Sequence, residues 1–312
     1  MMILSVCAGA LILALALSWY CYRKCFYSPA RGRCKPYDPM KGEQFEAAAD
    51  TIYRIISIME RYPWEDVAIE SEEGILLRGR YYEFTPGAPL LILCHGYRSN
   101  ALRDCCGTHM LVKKLGYNAL VIHQRAHGES GGSTITFGIR ERGDVVKWAE
   151  YARKRFGADI PIILFGLSMG AATVLMGCQE GYPENVRGII ADSPYSSPAD
   201  IIKKVCKDEG YPAFLHVFAE LGARIFGGFR LRSCTALEAV KHSSIPILLI
   251  HGEDDRMVPC DMSIKIAAAC PARCTILTIP DAGHGLGYMI DPPAYERAVM
   301  DFLAGCIKND KL

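Results

Sequence analysis

The chain has 312 residues, a formal net charge of +1 and a pI near 7.5. That balance excludes a nucleic-acid binder, which needs a basic face, while a hydrophobic content of 50% is ample for a large core. The 14 cysteines are scattered through predicted strands and helices of a long chain, which excludes a small disulfide-stapled scaffold and favours reduced thiols. Neither Cys105-Cys106 nor Cys270 and Cys274 has the spacing of a zinc site, so no metal is expected.

Met2 to Tyr22 is almost wholly apolar, with no charge before Arg23. About 20 such residues suffice to cross a bilayer. Trp19, Tyr20 and Tyr22 close the stretch as an interfacial aromatic belt, and Arg23, Lys24, Arg31, Arg33 and Lys35 follow. A cleaved signal would carry its positive charge before the apolar run. Residues 1–22 are therefore expected to be a transmembrane anchor, with the basic flank and the domain behind it on the cytoplasmic side. Residues 23–44 read as a linker, since Ser28 to Met40 is rich in Pro, Gly, Arg and Lys.

The domain is expected over residues 45–312. Phe45 to Arg61 carries Phe45, Ala48, Ala49, Ile52, Ile55, Ile56 and Met59 at helical spacing. Glu65 to Glu70 and Ile75 to Phe84 read as an antiparallel pair turning at Glu73-Gly74. Leu90 to Cys94 and Ala119 to Ile122 are short apolar strands, with a helix over Leu102 to Leu115 between them. A polar loop, Arg125 to Gly132, leads to a helix over Ile139 to Phe156 and a strand over Ile160 to Phe165. Further buried strands are expected at Val186 to Ala191, Ile245 to Ile250 and Thr275 to Ile279, with helices at Met262 to Ala269 and Tyr295 to Ile307. Continuous apolar strands alternating with helices indicate an α/β fold with a mostly parallel central sheet covered on both faces.

An insertion of residues 199–244 interrupts this alternation. Ala199 to Lys207 and Ala213 to Phe226 read as helices there, and the second presents Phe214, Phe218, Leu221 and Phe226 on one side. That side is either an ordinary packing face or a lid over an apolar substrate at the sheet's carboxyl edge. Phe214 and Phe218 are the candidate substrate contacts.

The chemistry centres on Gly166-Leu167-Ser168-Met169-Gly170, between an apolar strand and a helix start. A sharp strand–turn–helix connection forces the serine into a strained backbone conformation above the sheet, with glycines where side chains would strike neighbouring elements. A serine hydroxyl needs a base beside it. His284 stands between Gly283 and Gly285 in a loop after the last strand, and acids at Glu253, Asp254 and Asp255 follow another strand. Serine, acid and histidine then come in chain order off successive strand ends. The oxyanion donors are expected at the N–H of Met169, directly after the serine, and at the N–H of Tyr97 in the turn His95-Gly96-Tyr97.

From about Trp64 to the C-terminus the chain resembles serine α/β-hydrolases, in particular small-lid bacterial hydrolases and esterases. It carries in order His95-Gly96-Tyr97, Arg125-Ala126-His127-Gly128-Glu129-Ser130, Gly166-Leu167-Ser168-Met169-Gly170, His251-Gly252-Glu253-Asp254-Asp255-Arg256-Met257-Val258-Pro259 and Gly283-His284-Gly285. The resemblance selects Asp255 as the acid and implies the triad Ser168, Asp255, His284. It implies no cofactor and a small-molecule acyl substrate, an ester or thioester. An amidase or peptidase of the same fold is the nearest alternative, and a tethered protein without turnover a more distant one. The chain departs from the family pattern at Ala126, where glycine is usual, and at His123, where Asp is usual.

Overall fold

The computed structural model describes residues 2–40 and 42–307, with side chains from residue 5 onward. The outer limits of the expected anchor and domain, residues 1 and 308–312, and Lys41 of the expected linker lie outside the described residues.

Among the described residues eight strands form one sheet: β1 (Glu65–Glu70), β2 (Leu76–Tyr82), β3 (Leu90–Cys94), β4 (Asn118–Ile122), β5 (Ile162–Leu167), β6 (Val186–Asp192), β7 (Ile247–Gly252) and β8 (Cys274–Ile279). Their spatial order is β1-β2-β4-β3-β5-β6-β7-β8. β1 and β2 form the expected antiparallel pair, and β2 joins β4 antiparallel. From β4 to β8 every pairing is parallel. β3 shows why its run is wholly apolar. Leu90, Ile92 and Cys94 enter the core on one face, and Leu91 and Leu93 enter the core on the other, as a strand period of two requires. β8 departs from expectation: it is the sheet's last strand, and Thr275 and Ile276 stand exposed at that edge.

Among the described residues twelve α-helices accompany the sheet: α1 (Met2–Cys25), α2 (Glu43–Met59), α3 (Ala101–Asp104), α4 (Cys106–Lys114), α5 (Glu141–Phe156), α6 (Met169–Met176), α7 (Pro198–Asp208), α8 (Leu215–Ile225), α9 (Ala236–Ala239), α10 (Asp261–Ala269), α11 (Gly287–Ile290) and α12 (Pro292–Ile307). α2, α4 and α12 bury Ile56, Leu111 and Leu303 with one face of the sheet. α5, α6 and α10 bury Trp148, Leu175 and Ile266 with the other. The single helix expected at Leu102–Leu115 is broken at Cys105 into α3 and α4, and the Asn100 side chain caps α3 by accepting from the Leu102 N–H. The insertion carries α7 and α8 near their expected limits, and the short α9 in addition.

The N-terminal region differs most from the sequence reading. α1 runs to Cys25, and its apolar part, Ser5–Cys25, is 21 residues long with a mean hydropathy of 1.7. The segment after it, expected as a spacer, is packed on the domain. Phe26 is fully buried between the rings of Phe137 and Phe229, at 5.7 and 5.3 Å. The Ser28 hydroxyl donates to Ala126 O, and Arg33 donates to Gly128 O at 3.0 Å and Gly132 O at 2.6 Å. Arg103 donates to the carbonyls of Lys35 and Asp38, and Asn100 to that of Cys34. This order comes from side chains caught on backbone carbonyls, which leaves no hydrophobic period in the sequence.

Candidate active site

β5 ends in the turn that presents Ser168. Its φ is 56° and ψ −115°, a left-handed conformation that costs a non-glycine residue free energy and persists only where its surroundings enforce it. The flanking glycines show how. A Cβ on Gly166 would stand 2.2 Å from Gly170 O, and one on Gly170 would stand 2.2 Å from Cys94 O. Only glycine lets the turn close against α6 and β3. The Ser168 N–H donates to Asp192 O at 2.8 Å, tying the turn to the end of β6.

His284 and Asp255 come to Ser168 from two other strand ends. His284 Nε2 lies 2.8 Å from Ser168 Oγ, and its Nδ1 lies 2.6 Å from Asp255 Oδ2. An ionised carboxylate only accepts, so Nδ1 carries the proton and Nε2 is left to accept from the serine hydroxyl. The Oδ1 of Asp255 accepts the N–H groups of Met257 at 2.9 Å and Val258 at 2.8 Å. Burial works to raise the pKa of Asp255. Hydrogen bonds from His251 and His284 outweigh it and hold this carboxyl well below the usual carboxylate range. The fully buried His251 places Nε2 3.2 Å from Asp255 Oδ2 and 2.9 Å from Val258 O, two acceptors, so this nitrogen carries its proton. Its Nδ1 then accepts from the Ser263 hydroxyl at 2.6 Å. The histidine loop is fixed separately, by the Gly285 N–H donating to Ser193 Oγ at 3.2 Å.

The turn after β3 brings its backbone to the same point. A Cβ on Gly96 would stand 3.3 Å from the Ser168 Cβ. The Gly96 N–H donates to Asp104 Oδ2 at 2.7 Å, and the Arg98 N–H to His127 Nε2 at 2.9 Å. The Tyr97 N–H between them has no acceptor among the described residues. The Met169 N–H opens α6 and is one of the orphan donors of a helix N-terminus. The Tyr97 ring turns away from this backbone: its hydroxyl donates to Cys25 O at 2.8 Å, while Arg98 donates to Lys24 O and Tyr27 O. The last carbonyls of α1 are thus capped by the residues that flank the free amide.

Ser168, His284 and Tyr97 line one cavity of about 890 Å³. Its remaining wall includes Tyr27, Arg31, Arg33 and Met40 from the segment after α1, Phe45 and Ile52 from α2, and Met257 and Met289 from the carboxyl edge. Phe214 and Phe218 are not among its lining residues, and this corrects the sequence reading. Phe214 is 56% exposed, and α8 packs instead on α1. A Cβ on Gly222 would meet Ser18 O at 2.3 Å, and Phe226 stacks edge-on with Trp19 at 4.9 Å. The insertion turned toward the N-terminal helix, so the wall it was expected to supply comes from residues 27–40. Both family departures lie in the loop after β4. Ala126 is buried at φ 60°, a conformation in which glycine is free of strain, and His123 is buried among the neighbouring loop residues.

Sequence reasoning missed Asp104, His127, His251 and Ser193. His127 and His251 stood inside quoted motifs. Their roles are to hold an amide and a carboxylate, which no spacing announces. Asp104 acts eight residues from its partner, through a helix turn that folds back on the loop.

Residues 86–238 match the family model described as serine aminopeptidase, S33. The protein YqkD of Bacillus subtilis is 26% identical over 237 residues, covering 75% of this chain and 77% of that one. The lysophosphatidylserine lipase ABHD12 of Macaca fascicularis is 27% identical over 214 residues, 62% of this chain and 50% of that one. Among solved structures, the Pyrococcus furiosus esterase Pf2001 superposes with a TM-score of 0.64 at 23% identity, covering 81% of this chain and 95% of that one. With the sheet order, the strained serine turn and these likenesses together, the chain has the α/β-hydrolase fold and is similar to the serine hydrolases built on it.

Proposed function

We propose that this protein is a membrane-anchored serine hydrolase that cleaves a carboxylic ester or thioester through an acyl-enzyme. The observation that carries the reading is the hydrogen-bonded chain from Ser168 Oγ through His284 to Asp255, beside the unpaired Tyr97 amide. His284 Nε2 takes the hydroxyl proton as Ser168 Oγ attacks the acyl carbon. Asp255 fixes the tautomer of His284 and steadies the imidazolium that forms. The carbonyl oxygen gains negative charge between the N–H groups of Tyr97 and Met169, each such donor typically worth about 3 kcal/mol of the barrier. His284 then gives its proton to the leaving alcohol or thiol, and the acyl group stays on Ser168. A water molecule, deprotonated by the same nitrogen, attacks the acyl-enzyme, releases the acid and restores the hydroxyl.

None of these steps calls on a metal or organic cofactor. Support for ester chemistry comes from the relatives named a lipase and an esterase, and the methionines and aromatic rings of the cavity suit an acyl chain. α1 is the anchor, and the exposed Arg23 and Lys24 in its last turn favour a cytoplasmic domain. The test is turnover of p-nitrophenyl esters of increasing chain length against aminoacyl p-nitroanilides. Ester hydrolysis with a chain-length optimum supports the proposal. Preferential anilide cleavage overturns it in favour of an aminopeptidase.

A further inference from the structure

We propose that α8 is a second membrane-immersed element, its outer face covered by the lipid bilayer beside α1. At 3.6 residues per turn the sides of α8 separate cleanly. Gly222 and Phe226 face α1, and Ala219 and Ala223 face the core. His216, Glu220 and Arg224 form the polar side. Between the polar side and the side against α1, Phe214, Val217, Leu221 and Ile225 form a stripe at spacings of three, four and four residues. A stripe with this spacing belongs against something apolar, yet its four residues are exposed, Phe214 and the 48% exposed Val217 and Ile225 most of all.

The occupant follows from where α8 sits. It meets α1 at Ser18, Trp19, Cys21 and Tyr22, inside the apolar Ser5–Cys25 stretch. At 1.5 Å per residue these contacts lie within about 10 Å of the charged Arg23. If α1 crosses a bilayer, α8 stands at the depth of the headgroup–acyl boundary and cannot reach bulk water through its outer face. Leu11, Ile12, Leu13 and Leu15 of α1 are exposed as well, so both helices present large apolar side chains outward. Arg23 and Lys24 on α1 and Arg224 and Arg230 by α8 are exposed near their border, where cations meet lipid phosphates. The hydrolase domain is then pressed onto the membrane by two elements, with the cavity wall starting at Tyr27, two residues past the end of α1. The inference rests on the reading of α1 as a membrane span, and the test separates the two.

An environment-sensitive fluorescent amino acid is introduced genetically at Val217, Ile225 or Leu13, and at Arg153 on α5 as a solvent control, in the full-length chain. Genetic placement avoids the native thiols. Each variant is reconstituted in phosphatidylcholine vesicles containing phosphatidylglycerol, and quenching by doxyl-labelled lipid is compared with quenching by aqueous iodide. Probes at 217 and 225 are expected to shift to the blue and to lose about half their emission to doxyl lipid, as the probe at 13 does, while the probe at 153 responds only to iodide. Iodide quenching at 217 and 225 with lipid quenching at 13 overturns the role of α8 and leaves the anchor standing. Iodide quenching at all three overturns both. Protection of 217 and 225 from both quenchers means that protein, such as a second copy of this chain, covers the face, and this too overturns the inference.

Discussion

Replacing Asp255 by Asn isolates the electrostatics of the site from its architecture. The amide oxygen retains the two bonds that Asp255 Oδ1 accepts from Met257 N–H and Val258 N–H, at 2.9 and 2.8 Å, so the loop after β7 keeps its shape. The amide nitrogen then faces His284 Nδ1 in place of an acceptor 2.6 Å away. It donates, so His284 must accept at Nδ1 and carry its proton on Nε2, pointed at Ser168. A nitrogen that already holds a proton cannot take one from the serine. His251 loses one of two acceptors and keeps Val258 O, which limits the cost to the fold. The analogous wrong-tautomer change in a serine protease lowers kcat about 10⁴-fold, equivalent to about 5.5 kcal/mol. The same drop is expected here, measured as kcat on a p-nitrophenyl ester at neutral pH, with the urea midpoint lowered by the lost carboxylate bonds but the variant still folded. A D255N variant that keeps more than about a tenth of wild-type kcat would refute the role given to Asp255.

Further outcomes follow from the same contacts. Because Asp255 is held below its unfolded value, its bonds stabilise the fold above pH about 4 and that contribution fades as pH falls toward the folded value. Urea titrations between pH 6 and pH 2 should therefore show a steeper loss for the wild type than for D255N. His127→Ala removes the acceptor of the Arg98 N–H; kcat should fall with little change in KM, and stability by about 1–3 kcal/mol in thermal or urea unfolding. Gly170→Ala drives a methyl into Cys94 O, so a melting scan should show a destabilisation of about 3 kcal/mol or more. Arg33→Ala frees the cavity wall from the Gly128 and Gly132 carbonyls and should raise KM more than it lowers kcat in a steady-state ester assay.

The sheet was legible because its parallel strands are buried on both sides. Runs such as Leu90–Cys94 and Ile162–Phe165 tolerate no polar residue, and that leaves an unbroken apolar signature. The serine turn was legible for a related reason: its two glycines are dictated by backbone less than 2.5 Å from where a Cβ would go. β8 interrupts its apolar run with Thr275 and Thr278, a mark of the sheet's edge that the expectation of one more buried strand passed over. The segment after α1 was not legible. Its order depends on Arg33, Asn100 and Arg103 finding carbonyls 60 to 100 residues away in sequence, and such contacts impose no period. α8 shows a third case. Its amphipathic character is plain in sequence, but it has more than one apolar side, and a pattern alone does not say which faces the cavity. The close approach of Gly222 to Ser18 decides this, and it turned Phe214 and Phe218 away from the site to which they had been assigned.

The central claim is that Ser168 is the nucleophile. Its most direct test is covalent labelling of the full-length protein by a fluorophosphonate probe, wild type beside Ser168→Ala, with each sample checked for folding by circular dichroism. The account predicts stoichiometric labelling of the wild type at Ser168 and none in the folded variant, with ester turnover lost in parallel. Undiminished labelling or turnover in Ser168→Ala would contradict it.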